Sequence, residues 1–270
     1  MFRIDFKISI ITICYNNEDD IRATIESVIE QTYDNIEYLV IDGKSSDNTI
    51  EIVNEYSQCI DHIITEPDEG RYDAINKGFE LASGDVCGLI HAGDRLFDNQ
   101  VIANIVQHFQ TNNIDAMYGH SIIVNERDDP VRVNKSPKFK KSLFKAGWMP
   151  SHQSVYLRRE VIEKLGYYRT DLGGSGDYEF VLRYFYFHDL RIKRLDAFIL
   201  RFAIGGVSTT NYRKNLWESQ KKHIKAWRLQ GAEPPFYFIP FKLLRKGKQF
   251  FLAVKYRLND KIMLNNQSMN

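Results

Sequence analysis

The most informative stretch of this sequence contains YLVIDGKSSDNT (38–49), EPDEGRYDAINKG (66–78) and ASGDVCGLIHAGD (82–94). Its first and last segments contain apolar runs of strand length, and these are followed by the carboxylates of Asp42 and Asp94. In an open α/β sheet, ligands bind outside the carboxyl ends of the strands, where carboxylates can hold a nucleotide and its metal ion. The stretch therefore predicts an enzyme that handles nucleotides.

Strands and helices alternate on both sides of this stretch. The predicted strands cover residues 7–15, 36–41, 60–65 and 86–91, and the predicted helices cover residues 19–31, 48–56 and 74–81. The first strand is a β-branched run without polar alternation, which is typical of a strand buried on both faces. Because strands alternate with helices, we expect right-handed crossovers and an α/β fold with a mostly parallel sheet.

Beyond Asp94 the pattern is less regular. It predicts a helix over residues 100–110, strands over 116–119 and 121–125, and a polar, basic loop over 126–141. A loop, a short strand and a helix are then expected within residues 148–168. The glycine-rich segment GGSGDYEF (173–180) opens a further helix, with Ser175 or Asp177 as its N-cap.

Composition and charge indicate a folded protein with an appendage of different charge. The chain has 270 residues, of which 43% are hydrophobic and 26% are charged. Residues 211–270 hold 13 Lys or Arg and 3 acids, a net charge of +10. Residues 1–210 hold 23 Lys or Arg and 32 acids, a net charge of −9. We therefore expect a main domain over 1–210 and a basic extension over 211–270.

The cysteines and the apolar runs bear on the cellular location. Cys14, Cys59 and Cys87 match neither a paired framework nor metal-ligand spacing, so we expect buried, reduced thiols in a cytosolic protein. The apolar run near the N-terminus is short and β-branched, and lacks a small-residue cleavage site. No run approaches the ~20 apolar residues that span a bilayer. A cytoplasmic location follows as the expectation.

Three residues at strand ends are candidates for nucleotide and metal binding. Asp42 can accept hydrogen bonds from a base or a ribose, although DGKSSDNT suits a strand exit and a helix cap equally well. Asp94 can bind Mg²⁺ or Mn²⁺ held mainly by diphosphate oxygens, since such cations need few protein ligands when phosphates supply the rest. His91 can add a ligand or a diphosphate contact, or serve as a structural residue.

The segment EGRYDAINKG (69–78) places Arg71, Asp73, Asn76 and Lys77 at a helix start. Asp73 and Asn76 lie three residues apart on one face and can meet the base or diphosphate. Arg71 or Lys77 can offset the charge of the diphosphate. A solvated helix face is the alternative interpretation of these residues.

Two polar residues in the second half complete the candidate set. Asp177 follows glycines at a helix start, where it can act as a general base or cap the helix. His152 lies in the loop segment SHQS and can bind a metal ion, a phosphate or an acceptor.

The order of these motifs resembles that of the family 2 inverting glycosyltransferases with a GT-A fold, and most closely the branch used in bacterial surface-polysaccharide assembly. The matching segments, within residues 7–185, are SIITICYN (9–16), SVIEQTYDNIEYLVIDGKSSDNT (27–49), EPDEGRYDAINKGFELASGD (66–85), HAGD (91–94), HQSVYLRR (152–159) and SGDYEFVLR (175–183). The resemblance implies a Rossmann-like sheet flanked by helices. It also implies a nucleotide-sugar-binding half over 1–95 and an acceptor half over 96–210.

The resemblance also implies roles for individual residues. Thr12, Tyr15 and Asn17 would line the nucleotide pocket, Asp42 would contact base or ribose, and Asp94 would end the metal-binding acidic motif. Asp177 would be the catalytic base that deprotonates the acceptor hydroxyl. Mn²⁺ or Mg²⁺ and basic side chains would stabilise the departing nucleoside diphosphate. The expected donor is a nucleotide sugar, UDP-linked, and the expected acceptor is a glycan or a lipid-linked glycan.

Two departures from the family pattern affect these roles. Many relatives carry Asp-Asp where this chain has Asp42-Gly43, so a base contact by the second Asp cannot be transferred. Many also carry consecutive acids where this chain has Gly93-Asp94 preceded by His91. The expected metal site therefore has fewer carboxylates than is usual in the family.

The basic extension has two possible roles. Residues 215–229 have a helical pattern that includes Trp217, Ile224 and Trp227, and residues 236–258 alternate aromatic and aliphatic groups with Lys and Arg. Such a segment can lie on the anionic inner face of a cell membrane, which would suit a lipid-linked acceptor. Alternatively, its apolar face packs on the main domain. Nucleic acid is not an expected partner.

Other functional classes are less consistent with the sequence. A non-catalytic nucleotide-sugar-binding subunit of a membrane assembly is supported by the reduced acidic motif alone. A sugar nucleotidyltransferase would need a glycine-rich triphosphate loop at the first strand, and this loop is missing. No G-x-G-x-x-G follows the first strand and no G-x-x-x-x-G-K-[ST] occurs, which argues against a dinucleotide oxidoreductase and a P-loop enzyme.

Overall fold

A computed structural model describes residues 5–203 and 216–240 of the chain. The strands are β1 (Ile8–Cys14), β2 (Ile36–Asp42), β3 (His62–Thr65), β4 (Val86–Leu89), β5 (Arg95–Leu96), β6 (Ala116–Val124), β7 (Pro130–Asn134), β8 (Val155–Arg158) and β9 (Ile192–Ala203). The helices are α1 (Ile21–Ile29), α2 (Thr49–Glu55), α3 (Arg71–Leu81), α4 (Val101–Thr111), α5 (Ser142–Lys145), α6 (Arg159–Leu165), α7 (Gly176–Leu182) and α8 (Leu216–Leu229).

The strands form one sheet in the order β3-β2-β1-β4-β8-β6-β9-β5, with β7 paired to β6. The four N-terminal strands are parallel, as the alternation of strands and helices predicts. After β3 the chain returns to the other side of β1 to form β4, so a topological switch point lies between β1 and β4. A crevice for ligands is expected outside the carboxyl ends of these two strands.

The second half of the sheet is mixed. β8 pairs antiparallel with both β4 and β6, whereas β6 and β9 are parallel. The two strands predicted over residues 116–125 are one continuous strand, β6. The prediction of a loop over 126–141 is wrong for β7, whose half-buried residues extend the sheet at β6. β9 was not predicted, because its side chains are mostly half-buried and include charged residues.

Apolar side chains fill both faces of the sheet, as expected for strands without polar alternation. Along β1, Ile8 and Ile10 belong to the cluster on the side of α1 and α4, whereas Ile11 faces α3. Helix α3 approaches β1 closely at Gly78, where any side chain would overlap that of Ile11. This contact packs the C-terminal half of α3 against β1.

Helix α8, the first part of the extension, packs on α7. Trp227 is buried, and its Nε1 donates a hydrogen bond of 2.8 Å to Tyr178 Oη. The ring of His223 lies 4.1 Å from that of Tyr178. The apolar face of α8 therefore packs on the main domain, and the basic stretch predicted over 236–258 lies outside the described residues from residue 241 onward.

Two expectations about location and thiols can be compared with the described residues. Cys14 and Cys87 are buried and free, but the prediction of buried thiols is wrong for Cys59, which is exposed after α2. Within residues 5–203 and 216–240, no helix has the length and hydropathy required to cross a bilayer.

Candidate active site

The loops that follow β1 and β2 are joined by hydrogen bonds into one surface. Asn16 adopts a positive φ of 51°; its N–H donates to Ser45 Oγ at 2.8 Å, and its Oδ1 accepts from the N–H of Ser46 at 2.8 Å. The N–H of Asn17 donates to Thr49 Oγ1 at 2.7 Å. Tyr15 projects from this surface with 60% of its area exposed. Of the pocket residues that the sequence suggests, Tyr15 is therefore an accessible aromatic ring and Asn17 positions the loop.

Thr12 and Asp42 are enclosed in the sheet. Both are fully buried, and Thr12 Oγ1 shares a hydrogen bond of 3.0 Å with Tyr38 Oη. The Asp42 carboxylate accepts hydrogen bonds from the N–H of Ser45, at 3.0 Å, and from the Ser45 hydroxyl. These contacts assign both side chains a part in holding β1, β2 and the following loop together. Contact of Asp42 with a base or ribose remains a prediction.

Steric contacts explain why residue 43, next to Asp42, is a glycine. A side chain at Gly43 would overlap the carboxylate of Asp68 and lie 3.3 Å from the Tyr15 ring. Asp68 is held by a hydrogen bond of 2.8 Å that its Oδ1 accepts from the N–H of Gly70. A carboxylate thus lies beside Asp42 even though the neighbouring residue in the chain is not an acid. Sequence reasoning missed Asp68, which stands within the quoted EPDEG segment without a repeat or spacing to single it out.

Lys77 and Asp73 brace the loop that leads into α3. Lys77 Nζ pairs with Glu66 at 2.8 Å and donates to the carbonyl of Pro67 at 2.8 Å. Asp73 lies 3.4 Å from Lys77 Nζ and accepts the N–H of Glu69 at 3.1 Å. Because these charges are offset within the loop, the structure gives both residues a supporting position beside the crevice.

Asn76 joins α3 to the segment that precedes α7. Its side-chain amide makes two hydrogen bonds of 2.9 Å with the backbone N–H and C=O of Tyr168. Tyr168 stacks on Tyr72, with ring centroids 5.4 Å apart, and on Phe180, at 3.9 Å. Asn76 therefore positions an aromatic stack, while Arg71, one turn earlier on α3, lies over the Tyr72 ring at 5.9 Å.

The turn after β4 holds Asp94 next to His91. The N–H of Asp94 donates to the carbonyl of His91 at 3.0 Å, and Gly93 has a positive φ of 92° that L side chains rarely adopt. Gln153 bridges the turn, because its Oε1 accepts the His91 N–H at 2.9 Å and its Nε2 donates to Asp94 Oδ2 at 2.8 Å. Burial raises the pKa of Asp94 to about 7, although the hydrogen bond from Gln153 acts in the opposite direction.

Two histidines face each other beside this turn. The rings of His91 and His152 lie 5.1 Å apart, and among the described residues neither ring nitrogen of His91 has a hydrogen-bond partner. Burial lowers the pKa of His91 well below its ordinary value, and electrostatic interactions with His152 and with the positive charge of Arg71 act in the same direction. Burial also lowers the pKa of His152, whereas the negative charge of Asp177 acts to raise it. Both imidazoles are therefore neutral near pH 7.

Asp177 lies in the first turn of α7 and contacts Tyr72. Tyr72 Oη accepts the N–H of Asp177 at 3.1 Å and lies 3.3 Å from Asp177 Oδ1, which also accepts the N–H of Tyr178 at 2.8 Å. No hydrogen bond within residues 5–203 and 216–240 reaches Asp177 Oδ2. The side chain is half-buried, and its charge acts on His152. Asp177 therefore has a free carboxylate oxygen next to the histidine pair.

A cleft of about 180 Å³ opens beside Asp177. Its lining residues come from the start of α3 and from the loop before α7, and are Glu69, Gly70, Arg71, Tyr72, Asp73, Thr170, Gly173 and Gly174. Tyr72 forms the wall between the cleft and Asp177, since the two residues are hydrogen-bonded. The cleft therefore lies next to Asp177, with Tyr72 between them.

The donor set for a metal ion is small. Across the part of the chain that is described, no three His, Cys, Asp or Glu side chains are grouped so that they could hold a metal ion. Asp94 offers a carboxylate and His91 offers an unpartnered ring nitrogen on the same turn. Carboxylate oxygens suit Mn²⁺ and Mg²⁺, so Asp94 fits an ion that draws most of its other ligands from a diphosphate.

The structure brings together most of the site residues that the sequence predicts. It also adds three residues that the sequence did not predict. Arg71, His91, Asp94, His152 and Asp177 surround the crevice, whereas Thr12 lies in the sheet. Gln153, Tyr72 and Tyr168 connect these groups through hydrogen bonds and stacking. Each of the three lies in or beside a motif already singled out, which is the one signal that could have found them.

The sequence is similar to those of known glycosyltransferases. The profile of Glycosyl transferase family 2 matches residues 9–166. An uncharacterised glycosyltransferase of Mycobacterium tuberculosis is 33% identical over 178 residues, which cover 65% of this chain and 68% of the relative. A PGL/p-HBAD biosynthesis glycosyltransferase of Mycobacterium bovis is 27% identical over 193 residues, covering 70% and 73% of the two chains.

Solved structures share the fold. TarS 1–349 of S. aureus, in complex with UDP-GlcNAc, superposes with a TM-score of 0.66 at 18% identity, and the match covers 83% of this chain and 65% of that one. The mannosyltransferase PcManGT of Pyrobaculum calidifontis, in complex with GDP-Man and Mn²⁺, gives a TM-score of 0.62 at 15% identity over 97% and 80% of the chains. The mixed α/β sheet flanked by helices therefore matches GT-A glycosyltransferase structures, which confirms the expected fold class.

Proposed function

This chain belongs to glycosyl transferase family 2, and from that premise we propose that it transfers a sugar from a nucleotide-diphosphate donor to a hydroxyl group with inversion. The observation that carries the proposal is Asp177. Its Oδ2 atom is without a hydrogen-bond partner among the described residues, and it lies beside neutral histidines and an open cleft. A carboxylate in this environment can take a proton from an incoming hydroxyl group.

In the proposed reaction Asp177 acts as the general base. It removes the proton of the acceptor hydroxyl while the acceptor oxygen forms a bond to the anomeric carbon of the donor sugar. The bond between that carbon and the diphosphate oxygen breaks in the same displacement, and the nucleoside diphosphate leaves with the electron pair. One in-line displacement inverts the anomeric configuration. Tyr72 and the N–H of Tyr178 hold the Oδ1 atom, which leaves Oδ2 for the proton.

The leaving diphosphate would lie near Arg71, His91 and Asp94. Arg71 supplies a positive charge, and the neutral His91 ring supplies one N–H donor at an otherwise unpartnered position. A bound Mn²⁺ or Mg²⁺, held by Asp94 and His91, would neutralise charge on the diphosphate. The Gln153 amide keeps the Asp94 carboxyl oriented in the turn.

The proposed donor class rests on structural neighbours, and the proposed acceptor class rests on the family resemblance of the sequence motifs. A UDP sugar is proposed because a structural neighbour was solved with UDP-GlcNAc, while another, solved with GDP-Man, makes GDP sugars the alternative. The exposed Tyr15 ring offers a stacking surface for either base. A glycan or lipid-linked glycan of surface-polysaccharide assembly is the proposed acceptor, and the inner face of the cell membrane is the proposed location.

The first test is calorimetric binding of UDP, GDP and dTDP to the purified chain, each with Mn²⁺ and with a chelator. We expect one nucleotide to bind preferentially, and more tightly with Mn²⁺. Binding without any sugar transfer or donor hydrolysis would instead favour a non-catalytic nucleotide-sugar-binding subunit. Absence of binding of all three nucleotides would contradict the proposed donor class.

The role of Asp177 is tested by Asp177→Asn. The amide cannot accept the proton, so transfer should fall at least about 100-fold while affinity for the nucleotide stays unchanged. Asp171→Asn is the matched control, because Asp171 lies in the preceding loop and is exposed. Turnover of Asp177→Asn at the rate of the unmodified chain would rule out the base assignment.

A further inference from the structure

A lysine of the C-terminal extension reaches the cleft beside Asp177. Lys222 lies on α8, and its Nζ is 3.0 Å from the position that a Cβ on Gly173 would occupy. Gly173 and Gly174 both line the cleft. Lys222 is half-buried, and no hydrogen bond or ion pair joins it to another residue in 5–203 or 216–240. Helix α8 thus adds an uncompensated positive charge to a cleft formed by the main domain.

Arg71 provides a second positive charge at the same cleft. Among the described residues its guanidinium makes no ion pair and instead lies over the Tyr72 ring at 5.9 Å. Its charge contributes to the lowered pKa values of His91 and His152, so it also faces the histidine pair. Arg71 therefore stands between the cleft and the catalytic groups.

The acids near the cleft have partners or lie at its rim. Asp73 is 3.4 Å from Lys77 Nζ and accepts the N–H of Glu69, whose own side chain is exposed. Asp171, in the loop before α7, pairs with Arg169 at 2.9 Å and lies 3.7 Å from Lys225. Among the described residues, the cationic groups at the cleft without an acidic partner are Arg71 and Lys222, whereas the carboxylate of Glu69 at the rim has no cationic partner.

The backbone of the loop before α7 also favours the binding of an anion. Leu172 has a right-handed conformation, with φ −96° and ψ 1°, and Gly173 follows with a positive φ of 51°. Such a pair of residues turns successive N–H groups toward one side, a geometry that binds anions. A side chain at Gly173 would be pressed against Lys222 Nζ, so glycine keeps this approach open.

We propose that this cleft binds a phosphate group of the acceptor, with Lys222 and Arg71 as its cationic contacts. Lysine binds phosphate as a point charge, and arginine can add paired N–H donors. Tyr72 separates the cleft from Asp177, so a phosphate held there leaves an adjoining hydroxyl group next to the general base. The assignment to the acceptor rests on the proposed function, whereas the phosphate site itself does not.

The experiment measures binding of glycerol 3-phosphate, with glycerol as the uncharged comparison, to the full chain by calorimetry. It is done without nucleotide and again with saturating UDP, since a phosphate in the donor subsite would be displaced by UDP. We expect glycerol 3-phosphate to bind in both conditions and glycerol to bind in neither. Lys222→Gln should weaken binding about tenfold, the loss expected for one charge-assisted contact.

Lys221→Gln is the matched control, because Lys221 is the neighbouring residue on α8, with a side chain 75% exposed. It should bind glycerol 3-phosphate like the unmodified chain. Equal affinity of Lys222→Gln and the unmodified chain, or complete displacement by UDP, would overturn the proposal. Failure of the proposed transferase activity would leave this binding result unchanged, so the two failures are distinguishable.

A further arm identifies the source of the phosphate. Vesicles of phosphatidylglycerol are compared with vesicles of phosphatidylcholine in a flotation assay. Loss of phosphatidylglycerol binding in Lys222→Gln, but not in Lys221→Gln, assigns the phosphate to a lipid-linked acceptor. Vesicle binding equal in the two variants, together with weakened glycerol 3-phosphate binding in Lys222→Gln, assigns it to a soluble glycan.

Discussion

At the scale of single residues, Glu37 shows how a buried charge can stabilise the sheet. Its carboxylate accepts hydrogen bonds from Ser83 N–H at 2.7 Å, from the hydroxyls of Ser9 and Ser83, and from Lys7 Nζ at 2.9 Å. Burial alone would raise the pKa of Glu37, but these contacts outweigh it and hold the pKa at about 2. The network joins β1, β2 and the turn before β4 at the amino ends of these strands, opposite the crevice.

The pH dependence of stability follows from this lowered pKa. The contribution of Glu37 is fully present above its ordinary pKa of 4.5 and is lost as the pH falls toward 2. Over that range it amounts to up to about 3 kcal/mol, because one pKa unit corresponds to about 1.4 kcal/mol. Glu37→Gln should therefore lower the free energy of unfolding at pH 7 and make it fall less steeply between pH 5 and pH 2.

Urea unfolding at several pH values measures this effect. Glu30→Gln is the control, since Glu30 is an exposed carboxylate at the end of α1 and should behave like the unmodified chain. A Glu37→Gln chain whose stability follows the same pH curve as the unmodified chain would contradict the role of the network.

Residue types indicated the crevice from the sequence but not how each side chain is used. Asp42 and Asp94 follow apolar runs, so their place at the carboxyl ends of β2 and β4 was predictable. The hydrogen bond from Ser45 to the Asp42 carboxylate was not predictable, because a strand exit and a ligand contact have the same local sequence pattern. The position of Asp68 over Gly43 depends on how two loops pack against each other. The local sequence around either residue does not show this contact.

At the scale of elements, the regular first half was predicted well and the second half poorly. β1 to β4 and α1 to α3 alternate with strong periodicity, so apolar pattern alone places them. Helix α3 begins at Arg71, three residues before the expected start. β7 and β9 lie where polar and charged side chains are half-buried, so their pattern lacks the alternation or apolar run of a strand.

Helix α8 should depend on Trp227 for its docking. The side chain is 2% exposed, contacts Tyr186 and Phe187, and donates to Tyr178 Oη. Trp227→Ala removes these contacts, at a cost of about 3–5 kcal/mol for an aromatic residue in a core. We expect amide hydrogen exchange in α8 to become faster than in the unmodified chain, with smaller changes in β1 to β4.

Leu229→Ala serves as the control on the same helix, since Leu229 is 39% exposed and should alter exchange little. Unchanged exchange in Trp227→Ala would show that α8 is held by other contacts. Because Lys222 lies on α8, the Trp227 variant should also bind glycerol 3-phosphate more weakly, which links the docking of the helix to the cleft.

At the scale of the whole molecule, the division of charge suggests that the two ends of the chain meet different partners. Residues 1–210 carry a net charge of −9 and residues 211–270 a net charge of +10. The apolar face of α8 packs on α7, so the part of the extension left for a membrane is the basic, aromatic stretch from residue 241 onward. Six of its basic residues are Lys242, Arg245, Lys246, Lys248, Lys255 and Arg257.

Removal of residues 241–270 should therefore weaken binding to phosphatidylglycerol vesicles while affinity for UDP stays unchanged. The full chain should bind these vesicles less tightly as salt rises, because each Lys or Arg near an anionic surface contributes about 1 kcal/mol that salt screens. Flotation with phosphatidylcholine vesicles provides the uncharged control. Equal vesicle binding by the shortened and full chains would contradict a membrane role for this stretch, and would leave Lys222 and Arg71 as the groups that contact an anionic acceptor.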